Sequence, residues 1–187
     1  MYFKKIFFLS LFAFCLAQAQ NNIAINVNDE DLEIATSLNI NAMDEYSQST
    51  SYVLDASYLH TDGNDLSSIG ISGENNFQGV DGLALAFGAK FVFTDDFIAL
   101  PLFTKIVYTL PFDNSIPTTS LNTSLAYAPS VLSFSDAESY LEFRLEADME
   151  IISNIHIYTG YRNIDTDYEK YDQNFNDSFY AGMKLSF

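Results

Sequence analysis

Ser178-Phe179-Tyr180-Ala181-Gly182-Met183-Lys184-Leu185-Ser186-Phe187 decides the reading of the fold. Phe179, Ala181, Met183, Leu185 and Phe187 alternate with Ser178, Tyr180, Gly182, Lys184 and Ser186. A strand points successive side chains to opposite faces, so the stretch sorts into an oily face and a small or polar one. A soluble sandwich would usually add a few solvated residues after such a strand. An apolar outer face with a polar inner face fits the closing strand of a membrane barrel. Phe187 is then the periplasmic-side aromatic and the C-terminal signal presented to the barrel-assembly machinery.

The same period of two recurs upstream, interrupted by short polar turns. Ile23, Ile25 and Val27 mark a first strand, and Leu32, Ile34, Thr36, Leu38 and Ile40 a second. Tyr52, Leu54, Ala56 and Tyr58 form the third apolar face, and Ile69 and Ile71 a short fourth. Leu83, Leu85, Phe87, Ala89, Phe91 and Phe93 form the fifth. Ile98, Leu100, Leu102, Ile106 and Tyr108 form the sixth, where Pro101 predicts a local bulge. Leu121, Leu125 and Tyr127 make the seventh, Leu141 to Met149 the eighth, and Ile155, Ile157 and Tyr161 the ninth. With the stretch quoted above, the count is ten. An up-and-down antiparallel barrel with both termini in the periplasm needs an even number of strands. Ten is preferred; eight is the rival if the first hairpin stays outside.

Ten strands place the connections 43–49, 75–79, 111–117 and 151–154 on the periplasmic side. Those at 29–31, 62–66, 94–96, 129–137 and 165–177 fall outside, the last being the longest, as expected for this class. The outer set carries Asp29, Glu30, Asp31, Asp62, Asp65, Asp95, Asp96, Asp136, Asp165, Asp167, Glu169, Asp172 and Asp177, against Lys170 alone. No EF-hand spacing occurs among them, so solvation and repulsion of anions is the simpler account than cation-bridged contact with lipopolysaccharide.

The apolar faces contain no Lys, Arg, Asp or Glu. The opposite faces contain Glu33, Asp55, Glu74, Lys90, Lys105, Glu142, Arg144, Glu146, Asp148, His156, Arg162 and Lys184. In a barrel these line a narrow lumen and must pair there, because unpaired buried charge is costly. Lys90, Lys105, Glu142, Arg144, Glu146, Asp148, His156, Arg162 and Lys184 are therefore read as a lumen charge network. A hairpin turn centred on Ile152 sets Glu142 against Arg162, Asp148 against His156, and Arg144 against Gly160. Centring it on Ser153 would place Arg144 against Arg162, which like-charge repulsion disfavours. Such a ladder either selects permeants or simply fills a small lumen, as side chains do in narrow barrels.

Residues 1–19 read as a signal peptide, and 20–187 as the barrel domain. Lys4 and Lys5 form the n-region, Ile6 to Leu16 the apolar stretch, and Ala17-Gln18-Ala19 the cleavage site. The apolar run is too short to span a bilayer as a helix. Phe14 stands before Cys15, where a lipobox wants a small residue. Cleavage after Ala19 leaves 168 residues with no cysteine, and six basic residues against 25 acids, a net charge near −19. That balance excludes nucleic acid as a partner. An exported, acidic, aromatic-rich chain without a helical span points to the outer membrane of a Gram-negative bacterium. Its partners there are lipids and lipopolysaccharide, with the chain a monomer.

No catalytic, cofactor-binding or metal-binding residue is assigned. A barrel acyltransferase or deacylase, the alternative function, needs a histidine beside a serine or acid at the outer leaflet. His60 and His156 are the only histidines. Strand parity puts His60 on the lipid-facing side near Ser57 and Asp62, as an interfacial residue. A soluble lipocalin-like binder is a third reading, but its interior would be apolar. Tyr52, Tyr58, Phe93, Tyr108, Tyr127 and Phe187 suit interfacial aromatic girdles.

Gly82-Leu83-Ala84-Leu85-Ala86-Phe87-Gly88-Ala89-Lys90, Tyr127-Ala128-Pro129-Ser130, Tyr158-Thr159-Gly160-Tyr161-Arg162 and Tyr180 to Phe187 together resemble the YfaZ family of bacterial outer-membrane proteins. The likeness covers the mature chain, most clearly from Gly82 onward. It implies an outer-membrane barrel and carries over no catalytic or ligand residue. The expectation is a small non-enzymatic barrel, either structural or a very narrow pore with a charge-laddered lumen.

Overall fold

In the computed structural model, residues 21–41, 50–112, 117–135, 137–168 and 171–187 are described. The expected signal peptide 1–19, the whole 43–49 connection, 113–116 within the 111–117 connection, Asp136, Glu169 and Lys170 lie outside them. The elements are β1 Asn22–Val27, β2 Asp31–Asn39, β3 Ser51–Thr61, β4 Asn64–Asn76, β5 Leu83–Phe93 and β6 Phe97–Ala99. There follow β7 Leu102–Thr109, β8 Thr119–Ala128, β9 Ser133–Ser135, β10 Ala137–Ile152, β11 Ile155–Tyr168 and β12 Tyr171–Ser186. Ten of these, all but the three-residue β6 and β9, form a closed antiparallel barrel. Each pairs with its sequence neighbour in that set, β4 with β5 included, and β12 returns to β1. Closure removes every free edge, which lipid requires.

The closing seam runs Asn22↔Ser186 to Val27↔Ala181, so the segment Ile23 to Val27 is a barrel strand and the count is ten rather than eight. Asn21 N–H and Phe187 C=O extend the seam at 3.1 Å, and Phe187 N–H and Asn21 C=O at 2.9 Å. We call this the terminal end, and the opposite rim the far end. The outer surface is apolar: Ile25, Ile34, Ile69, Phe87, Leu102, Leu145, Phe179 and Met183 are all exposed. Apolar side chains left exposed around a closed barrel need a hydrocarbon surround. Among the described residues, no helix is long and apolar enough to cross a membrane.

Three expectations change. Residues 165–177 are not a loop: β11 runs to Tyr168 and β12 begins at Tyr171, leaving 169–170 between them. The fourth strand is not short, since turn-rich Asn64 to Ser68 pairs fully with β3. Pro101 makes no bulge. The β5 pairing has the same register on both sides of it, Ala89↔Leu102 and Val92↔Ala99. Lys90 N–H still reaches the Pro101 carbonyl at 3.0 Å, but proline has no N–H to return the second bond. The ladder is interrupted there rather than shifted, which divides the predicted sixth strand into β7 and β6. On the other side of β6, β9 replaces β8 as neighbour, with a 3-10 turn at Ser130–Leu132 filling the change.

At the far end the inner face is apolar, against expectation. Leu59, Leu66, Val92, Phe97, Ala99, Tyr140 and Ile164 are buried together there. Phe97 is the centre, its ring 6.0 Å from Tyr140, 6.1 Å from Tyr168 and 6.5 Å from Phe175. Phe175 is present because of a bulge. Ile164 pairs with Asn176 and Asp165 with Asn174, so Phe175 is the extra residue and turns inward out of parity.

Candidate functional site: the lumen

The lumen below that apolar cluster is crossed by a continuous chain of ion pairs. Lys90 on β5 donates to Glu142 Oε2 at 2.5 Å, and Tyr140 O–H to the same oxygen at 2.6 Å. Arg144 Nε donates to Glu142 Oε1 at 2.6 Å, and its two Nη atoms grip Glu33 on β2 at 2.8 Å each. Arg162 on β11 donates from Nη1 to Glu33 Oε2 at 2.7 Å and from Nη2 to Asp31 Oδ2 at 2.9 Å. Its Nε donates to Asn176 at 2.8 Å, and its Cζ lies 5.2 Å from the Tyr180 ring centre. Three cations, Lys90, Arg144 and Arg162, meet three carboxylates, Asp31, Glu33 and Glu142. Arg162 is fully buried and Glu33 is 1% exposed, so each charge depends on the others for solvation.

The β10–β11 register differs from the expected one. The turn is Ser153-Asn154, with Asn154 at φ 71°, and Ile152 faces Ile155. Arg144 therefore faces Arg162, Asp148 faces Tyr158, and Glu146 faces Gly160. Cross-strand repulsion did not decide the pairing, because the carboxylate that neutralises both arginines comes from β2 across the barrel. Glu142 does not pair with Arg162. Asp148 and His156, although not opposite in register, still meet at 2.7 Å, and Lys184 donates to the other Asp148 oxygen at 2.5 Å.

Glu146 accepts a hydrogen bond from Tyr180 at 2.6 Å. Lys105 lies half-buried in the lumen and, among the described residues, makes no ion pair or side-chain hydrogen bond. Residues 24, 26 and 35, with Tyr158 and Tyr180, pack the wall beside them. Tyr158 faces Gly182 and Tyr180 faces Gly160, so each ring lies over the glycine of the neighbouring strand. Phe187 follows β12 and pairs with Asn21 in the seam described above.

Asp31, expected in a loop, begins β2, is buried, and accepts from Arg162, Asn176 and Ser178. Its parity with Glu33 two residues on is the signal that places it inside. Asn176 and Tyr140 were not singled out, and nothing local in the sequence marks them. His60 stands on the outer face near the far rim, 2.7 Å from Asp65, which also accepts from Tyr58 at 2.8 Å. Ser57 lies inside, bonded to Ser68, and so on the other side of the wall from His60. Among the described residues, no three His, Cys, Asp or Glu side chains are grouped to hold a metal ion.

A family model described as "YfaZ precursor" matches residues 4–187. The chain belongs to the YfaZ family. Two solved structures of the KdgM porin, one in complex with disordered oligogalacturonate, are similar at 13% identity. The match covers 90% of this chain and 99% of the porin, with a TM-score of 0.52. A bacterial polysaccharide outer-membrane secretin is similar at 9% identity over 84% of this chain and 56% of that one, with a TM-score of 0.51. At these identities the likeness concerns the fold. No curated protein matches. This YfaZ-family chain is a small outer-membrane β-barrel with buried charge, surrounded by membrane lipid.

Proposed function

We propose that this barrel is a non-enzymatic component of the outer membrane whose lumen is closed to steady diffusion. The observation that carries the reading is the two-layer obstruction: Phe97 and its apolar neighbours at the far end, and the Lys90 to Asp31 relay beneath them. An apolar constriction excludes water and ions, and the relay leaves no guanidinium free to bind a passing anion. The termini, paired at one rim, support a periplasmic terminal end and an extracellular far end. The exposed acids of the far rim support repulsion of anions, with lipopolysaccharide as the outer neighbour. Closure of every strand edge supports a monomer. Phe187, paired in the seam, suits a signal to the barrel-assembly machinery, and cleavage after Ala19 precedes insertion; mass spectrometry of the exported chain tests the cleavage.

The porin likeness favours a second reading, a narrow pore that opens when both layers yield. The KdgM porin has been seen with oligogalacturonate, an anionic polymer; here Arg144 and Arg162 are already committed to carboxylates. Planar-bilayer recording separates the two readings. The closed barrel gives no steady conductance; stable single-channel steps from the wild type would overturn it.

A further inference from the structure

The lumen between the relay and the terminal end is hollow. One cavity of about 140 Å³ is lined by Asn22, Asn26, Lys105, Asn122, Glu146 and Lys184, among others. A second, of about 200 Å³, shares Lys105, Arg144 and Glu146 with it and reaches Asp55 and Ser124. Two groups on these walls lack a hydrogen-bond partner. Lys105 is the one lumen cation without a protein acceptor among the described residues. Asn26 is 3% exposed, and its Oδ1 accepts no hydrogen bond, although its Nδ2 is held by Glu33 at 2.9 Å. That oxygen has no accessible surface and is closed to a ligand; the ammonium opens into the cavity without an acceptor and suits a partner carrying an anion.

We infer that this half of the lumen binds a small hydroxylated monocarboxylate. Its carboxylate would meet Lys105. The Asn22 and Asn122 amides and the Ser124 hydroxyl, which make no side-chain hydrogen bonds among the described residues, would take its hydroxyls. The remaining groups restrict the charge. Glu146 and Asp55 also face the cavities, satisfied only by Tyr180 and Ser37 hydroxyls, so a dianion would be repelled. Both arginine forks are occupied, which removes the bidentate donors that phosphate recognition favours. The size suits one sugar acid rather than a polymer.

The test uses the whole refolded barrel in detergent, with sodium D-gluconate as probe and sorbitol as its neutral counterpart, followed by calorimetry. Saturable gluconate binding with a Kd of about 1 mM is expected, with sorbitol silent. Lys105→Met should weaken binding by about 10-fold or more, and Lys105→Arg should preserve it, which separates lost charge from lost folding. Absence of saturable gluconate binding, equal binding by Lys105→Met, or equal binding of sorbitol would overturn the site. Conductance does not enter this test, so failure of the closed-lumen reading and failure of this site are distinguishable.

Discussion

Arg144 and Arg162 face each other across the β10–β11 ladder, and a single carboxylate, Glu33, binds both. Two like charges thus sit at a cross-strand position that pair preference would forbid. The third strand that satisfies them lies more than a hundred residues away in sequence, so the pairing becomes favourable only once the barrel has closed.

Glu33→Gln should therefore be among the most damaging isosteric changes available. It leaves two buried guanidiniums with a neutral neighbour, a loss of about 3–5 kcal/mol. Urea unfolding of the refolded barrel measures it. In a double-mutant cycle with Arg144→Met, the coupling should be favourable by about 1–3 kcal/mol. Additive losses would mean that Glu33 does not hold the two strands.

Asn154 tests how the register is set. Its left-handed backbone suits asparagine and glycine but not a β-branched residue. Asn154→Gly should stay within about 0.5 kcal/mol of the wild type, and Asn154→Val should lose about 1–2 kcal/mol, read as a shift in urea midpoint at unchanged slope.

The tyrosine-over-glycine pairs make a third prediction. A Cβ at Gly182 would come 2.5 Å from both the Tyr158 ring and the Ile25 carbonyl. Gly182→Ala should cost about 1–3 kcal/mol by overpacking. Tyr158→Leu should relieve part of that loss, so that the double variant is more stable than the two single losses predict.

Phe97 tests the seal. Phe97→Ala empties the centre of the far-end cluster and should cost about 3–5 kcal/mol. Because the ion relay still crosses the lumen, planar bilayers should remain without steady conductance. Brief openings are expected only when Glu33→Gln is added. Steady conductance from Phe97→Ala alone would assign closure to the apolar layer.

By itself, the sequence determined the barrel and its outward faces, and it left ten strands and eight as alternatives that the closing seam decided. The barrel and its faces follow from a period of two, and a period is a local property that each strand displays whatever its neighbours do. The β11–β12 register went unread, although Tyr158-x-Gly160 and Tyr180-x-Gly182 run antiparallel and each ring covers a glycine of the other strand. The tertiary structure alone decided the partners and the seal. Arg162 meets Asp31 and Glu33 rather than Glu142 because closing the ring brings β2 opposite β11, and cross-lumen distance has no trace in adjacent residues. Phe175 joins Phe97 through one inserted residue that reverses parity, and a single bulge is invisible to a pattern that averages over a strand.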